Sequence, residues 1–214
     1  MKSKPLKATA LLLAATLAVP GLVFASELPV LRGVGGDFRM NSTLGHETSL
    51  SEFSDKLVLL TFGYTNCPDV CPVTLGFLNK VMSELGAQAG RTQVLFVSLD
   101  PEYDTPEKLK NYLAFFNRDF IGLMARREVL DDVARQYNIR YGKLSSLQVS
   151  TRFRKLKIPN QAQQAQPDEA DTSALYYHST VIYLIDSQGR VRSSFDTTTA
   201  VAGVVDGVRA LLGE

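Results

Sequence analysis

An α/β sandwich is the fold class this sequence predicts. Three patterns carry that expectation: continuous apolar runs of strand length, amphipathic helical stretches, and the alternation of one with the other. The chain has 214 residues, 45% of them hydrophobic, which allows one core with additional loops. A single domain is therefore expected.

The chain opens on Met1-Lys2-Ser3-Lys4-Pro5-Leu6-Lys7, followed by an apolar run from Ala8 to Val23 that is broken at Pro20-Gly21. Val23 and Ala25 are small enough for cleavage before Ser26, so residues 1–25 read as an export signal. An uncleaved anchor is the alternative, although the run is shorter than a usual membrane span. No cysteine follows the run, so a lipid-anchored start is not expected. Taking Lys2, Lys4 and Lys7 from the 23 basic residues leaves 20 against 22 acidic ones in residues 26–214. That balance gives no support to nucleic-acid binding.

Between Leu28 and Ser54, Asp37-Phe38-Arg39-Met40 and Thr48-Ser49-Leu50 flank a polar turn at Gly45, the pattern of a small N-terminal β-hairpin. His46 lies in that turn and is expected to face solvent. Leu57-Val58-Leu59-Leu60-Thr61-Phe62 then reads as a strand buried on both faces. A helix follows. Pro72, which lacks an N–H and has a fixed φ, suits its first turn; Val73, Phe77, Leu78, Val81, Met82 and Leu85 recur at helical spacing; Gly86 ends it.

The only two cysteines, Cys67 and Cys71, lie between that strand and the body of that helix. Cys71 at a helix N-terminus is biased towards thiolate, because first-turn N–H groups and the helix dipole favour negative charge. Three intervening residues allow the sulfurs either to form a disulfide or to converge on one ion. A bridge across so short a loop adds little stability, which weighs against a purely structural disulfide. In an oxidising compartment a working dithiol must be kept reduced or occupied.

Thr92 to Leu99 is the second buried strand, completing a βαβ unit with a parallel pair. Asp100-Pro101-Glu102-Tyr103-Asp104-Thr105-Pro106 is a turn into a helix that runs to about Phe116, with Asp104 or Thr105 as N-cap. Ile121–Met124 is a short strand and Arg127–Tyr137 an amphipathic helix. Residues 143–175 interrupt the alternation. Their basic Arg152-Phe153-Arg154-Lys155-Leu156-Lys157 and glutamine-rich Gln161–Gln166 suggest a mobile, solvated insertion, with a partner-docking hairpin as the alternative. Thr180–Ile185 and Arg190–Phe195 form a hairpin about Asp186-Ser187-Gln188-Gly189, and a helix from about Thr199 to Leu212 closes the chain.

His178 stands at the entrance of the Thr180–Ile185 strand and is the candidate third ligand. Two thiolates and one imidazole suit copper(I), or zinc with a fourth ligand. No phosphate-cradling glycine motif and no Ser/His/Asp arrangement is present, so catalysis in the ordinary sense is not demanded.

The runs Phe62-Gly63-Tyr64-Thr65-Asn66-Cys67-Pro68-Asp69-Val70-Cys71-Pro72, Asp100-Pro101-Glu102 to Asp104-Thr105-Pro106, and His178-Ser179 with Ile182–Arg190 resemble the Sco/SenC family of thioredoxin-fold proteins from about Gly36 to the C-terminus. The resemblance implies a thioredoxin-like fold with an N-terminal β-hairpin extension and a long loop insertion before the His-bearing strand. It further implies that Cys67, Cys71 and His178 bind copper, as Cu(I) or Cu(II), and that the protein delivers copper to, or helps assemble, the dinuclear centre of cytochrome c oxidase. The implied partners are a copper-acceptor subunit of a terminal oxidase, or another copper protein, and a thioredoxin-like reductant. The expected location is periplasmic, with contact to the inner membrane only through an uncleaved anchor. Two departures stand out: Tyr177 occupies the place before the histidine where the family often has an acid, and the 143–173 loop is long. Asp100 and Asp104 match acidic positions of the family, while by themselves they read as turn and N-cap. The competing function is an exported thiol-disulfide reductase that keeps a copper-site partner's cysteines reduced, which needs Cys67 and Cys71 but not His178.

Overall fold

The computed structural model describes residues 28–145 and 175–213. The glutamine-rich part of the insertion and the N-terminal run expected to be an export signal lie outside them. Seven strands form one mixed sheet in the order β2-β1-β5-β4-β3-β8-β9: β1 Arg39–Ser42, β2 Glu47–Ser49, β3 Leu57–Gly63, β4 Thr92–Ser98, β5 Ile121–Met124, β8 Ile182–Ile185 and β9 Val191–Phe195. The central β3, β4 and β5 are parallel, and the remaining pairings are antiparallel. Two further strands, β6 Tyr141–Lys143 and β7 Tyr176–His178, pair only with each other.

Every residue of β3 and of β4 is buried, as a strand covered on both faces must be. Alternate side chains divide the core in two. On one face Leu57, Leu59, Val94, Phe96 and Leu184 pack under α1 (Val70–Leu85), α2 (Pro106–Phe116) and α4 (Val201–Leu212). On the other, Val58, Leu60, Phe62, Leu95 and Val97 meet α3 (Arg127–Gln136) and the N-terminal hairpin through Leu130, Val133, Tyr137, Phe38 and Met40. Fixed by cover on both sides, the C-terminal ends of β3 and β4 become rigid mounts for whatever follows them.

Most expected elements are present; the structure settles one open choice, and two details differ. Thr105, not Asp104, caps α2, its hydroxyl accepting from the Lys108 N–H at 3.1 Å. Asp104 is drawn inward instead. The segment from Lys143, expected to be loop, begins as the end of a strand, β6. His178 is strand-borne, but on β7 and outside the main sheet; the following strand starts only at Ile182.

Candidate metal centre

The site is assembled where β3 ends. Leu99 N–H donates to the Gly63 carbonyl at 2.7 Å, locking the ends of β3 and β4 together, and the chain then leaves the sheet through Tyr64. Asp104 anchors this exit. It accepts from Ser98 Oγ at 2.5 Å, from the Thr65 hydroxyl and from the Thr65 N–H at 3.3 Å, tying the loop before Cys67 to the end of β4. Cys67 N–H closes the turn on the Tyr64 carbonyl at 3.2 Å. Cys71 is the second residue of α1, and its sulfur rests on Gly63: a Cβ there would stand 2.6 Å from Cys71 Sγ and 2.7 Å from Phe96 Cζ. Only glycine leaves room for the thiol at that point.

His178 arrives from the other direction. Its Nε2 lies 3.5 Å from Cys71 Sγ, and the ligand atoms of Cys67, Cys71 and His178 all fall within 4.8 Å of one another. His178 Nδ1 sits 2.9 Å from the Ser179 carbonyl and donates to it, which leaves Nε2 with a free lone pair facing the sulfurs. A backbone carbonyl thus orients the imidazole in a chain that has Tyr177 where an acid was expected. The Tyr64 ring stands edge-on to the imidazole with centroids 5.9 Å apart.

Both cysteines are free and buried, but they are not equivalent. The Cys67 thiol is pushed far down, first by the hydrogen bond from Cys71 and then, against the opposing effect of burial, by the Asp69 and Cys71 backbone. Cys71 is pushed up, because it donates to Cys67 and is almost completely buried. The helix N-terminus by itself biases Cys71 towards thiolate, and the hydrogen bond it donates and its burial act the other way. The dipole acts on a sulfur that is already committed as a donor and removed from water, and the charge settles on Cys67 in the loop.

The three donors fit one soft ion. Metal bonds of about 2.0 to 2.3 Å let a single ion span donors up to roughly 4.6 Å apart, and two sulfurs with one imidazole are a donor set of copper(I) or zinc. Among the described residues the cluster has no fourth His, Cys, Asp or Glu. Asp100 and Asp104 do not join it. Asp100 is buried, accepts from the Tyr176 hydroxyl at 3.2 Å and is pushed up by burial. His46 is exposed in its turn, as expected.

A family model, SCO1/SenC, matches residues 29–213. The chain belongs to the SCO1/SenC family. The SCO2-like protein of Rickettsia conorii is 28% identical to it over 162 residues, covering 76% of this chain and 69% of the relative. The structure of Bradyrhizobium japonicum ScoI with copper bound superposes with a TM-score of 0.67 at 27% identity, over 83% of this chain and 99% of that one. BsSco, described as carrying a disulfide switch and as a member of the Sco family of cytochrome c oxidase assembly proteins, shares the fold at a TM-score of 0.57 and 17% identity, over 87% of this chain and 98% of its own. The thioredoxin-like α/β expectation therefore holds for this SCO1/SenC chain. Sequence reasoning singled out all three clustered residues; it missed Gly63 as the seat of Cys71.

Proposed function

We propose that this SCO1/SenC protein is a copper metallochaperone, holding one copper ion through Cys67, Cys71 and His178 and delivering it to an acceptor. The observation that carries the reading is the convergence of the three donors, with Cys71 Sγ and His178 Nε2 at 3.5 Å. The copper-bound relative from Bradyrhizobium supports the choice of metal. A site with three donors suits a carrier, since an incoming thiolate or imidazole of the acceptor can bond to the ion before the carrier's own donors leave. The acceptor proposed is the subunit of a terminal oxidase that houses the dinuclear copper centre, or another copper protein, consistent with the description of the Sco family as cytochrome c oxidase assembly proteins. Residues 1–25 would export a single domain, 26–214, to the periplasm, or stay as an inner-membrane anchor. Among the described residues no helix is long and apolar enough to cross a membrane.

The depressed Cys67 thiol favours a second reading, a thiol-disulfide reductase in which the Cys67 thiolate attacks a partner disulfide and Cys71 resolves the mixed disulfide. Anaerobic Cu(I) titration of the reduced protein separates the two. One tightly held copper, lost in Cys67→Ser and Cys71→Ser and weakened in His178→Ala while exchange with a disulfide substrate persists in the histidine variant, is expected of the chaperone. Weak binding that ignores His178→Ala would favour the reductase.

A further inference from the structure

The ribbon that carries His178 shares no strand pairing with the main sheet, so something else must set where the imidazole stands. In its register Tyr141 lies directly opposite His178, and Tyr176 is two residues before it on β7. Side chains alternate along a strand, so Tyr141, Tyr176 and His178 share one face of the ribbon while Tyr177, half exposed, takes the other. Arg127, the first residue of α3, reaches both tyrosines on that face. Its Nη1 donates to the Tyr141 hydroxyl at 3.2 Å and to the Leu99 carbonyl at 3.2 Å; its Nη2 donates to the Tyr176 hydroxyl and to Glu102 Oε1, each at 3.2 Å. The guanidinium also lies 5.7 and 5.8 Å from the two ring centroids. One planar cation thus bridges both strands of the ribbon to the 99–102 turn that follows β4, the same strand end that Asp104 ties to the cysteine loop.

We propose that Arg127 is a positioning residue of the metal centre: by clamping Tyr141 and Tyr176 it fixes the approach of His178 Nε2 to the two sulfurs. The assignment rests on the Cys67–Cys71–His178 reading. The clamp depends on the fork of donors, because a guanidinium can serve several acceptors in fixed directions and an ammonium cannot hold the same geometry.

The test is a Cu(I) competition titration of the reduced protein as parent, Arg127→Met, Arg127→Lys, His178→Ala and Arg127→Met/His178→Ala, with melting curves of the copper-free forms. Groups that orient a metal ligand are typically worth about 10- to 100-fold in affinity. Arg127→Met is expected to weaken binding by about that amount, Arg127→Lys by less. In the His178→Ala background the same change should have less than about a twofold effect, since residues acting through one another are not additive. Parental affinity in both Arg127 variants would overturn the assignment, and so would an equal loss in both backgrounds, which marks a general effect on the fold. Should Arg127→Met fail to fold, Arg127→Lys alone and with His178→Ala decides the matter by the same comparison. Undiminished binding in His178→Ala would instead strike at the Cys–Cys–His site itself, whatever the Arg127 variants do.

Discussion

The two halves of the metal centre are held in opposite ways. Cys67 and Cys71 hang from the end of β3, a strand buried along its whole length between two strands of the main sheet and covered on both faces. His178 hangs from a two-stranded ribbon outside that sheet, tied to the body through Tyr176, which is buried against the core and whose N–H donates to the Tyr64 hydroxyl at 3.0 Å, and through the Arg127 clamp. Apolar burial is strong and undirected, while hydrogen bonds are individually modest and directional. The sulfurs are thus fixed with the main sheet, and the nitrogen is placed by a few directed contacts from outside it. Damage to the first half should appear as lost stability, damage to the second as lost affinity.

The largest effect is expected from Leu59→Ala. Leu59 is fully buried in the middle of β3, paired with Val94 on one side and Leu184 on the other. Truncating a leucine in such a place costs about 2–5 kcal/mol, through lost burial and the cavity left behind. Denaturant unfolding of the copper-free protein should register that loss, while protein that remains folded should bind copper nearly as the parent does. A variant with unchanged stability and lost copper would abolish the division of labour drawn here.

Gly63→Ala attacks the junction between scaffold and site, and should be felt in both. The added methyl would overlap Cys71 Sγ and the edge of the Phe96 ring. Overpacking in a filled core costs about 1–3 kcal/mol, and the cheapest relief is to push the thiol away from its seat. Copper affinity should therefore fall further than the drop in stability alone would suggest, with a changed charge-transfer absorption in the Cu(II) form. If denaturation shows the cost and the copper spectrum stays parental, Cys71 is not seated by Gly63.

The same contrast explains what could be seen in advance. The apolar runs of β3 and β4, the Pro72–Gly86 bracket around α1 and the two cysteines are local patterns, and each led to the right element because the forces that make it act within a few residues. The ribbon has no such pattern. Its strands are three residues long, stand more than thirty residues apart in the chain and are rich in tyrosine, and their pairing is set by contacts with Arg127, Asp100 and Tyr64 that no window reveals. The choice between Asp104 and Thr105 stayed open for a related reason. At the level of sequence Asp104 competes with Thr105 for the helix cap, and only the fold brings Ser98 and Thr65 to draw it inward. The charge on Cys67 was equally hidden, because it follows from the donation by Cys71 and from the depth of that sulfur.

The smallest effect is expected at the outer edge of the ribbon. Lys143 on β6 meets Glu102 at 2.6 Å, a tie between the ribbon and the 99–102 turn that resembles the Arg127 clamp in its partners. Both side chains are more than half exposed, however, and an exposed pair of this kind is worth about 0–1 kcal/mol, because water screens the charges and two flexible side chains must be ordered. Arg127 is only 29% exposed and engages two ring hydroxyls and a carbonyl besides the same Glu102. Lys143→Ala should accordingly leave both the melting temperature and the Cu(I) affinity close to parental, and adding salt should change neither by much. Were Lys143→Ala to weaken copper as strongly as Arg127→Met, the ribbon would be held by net charge on the turn, and the directed fork of Arg127 would lose its special place.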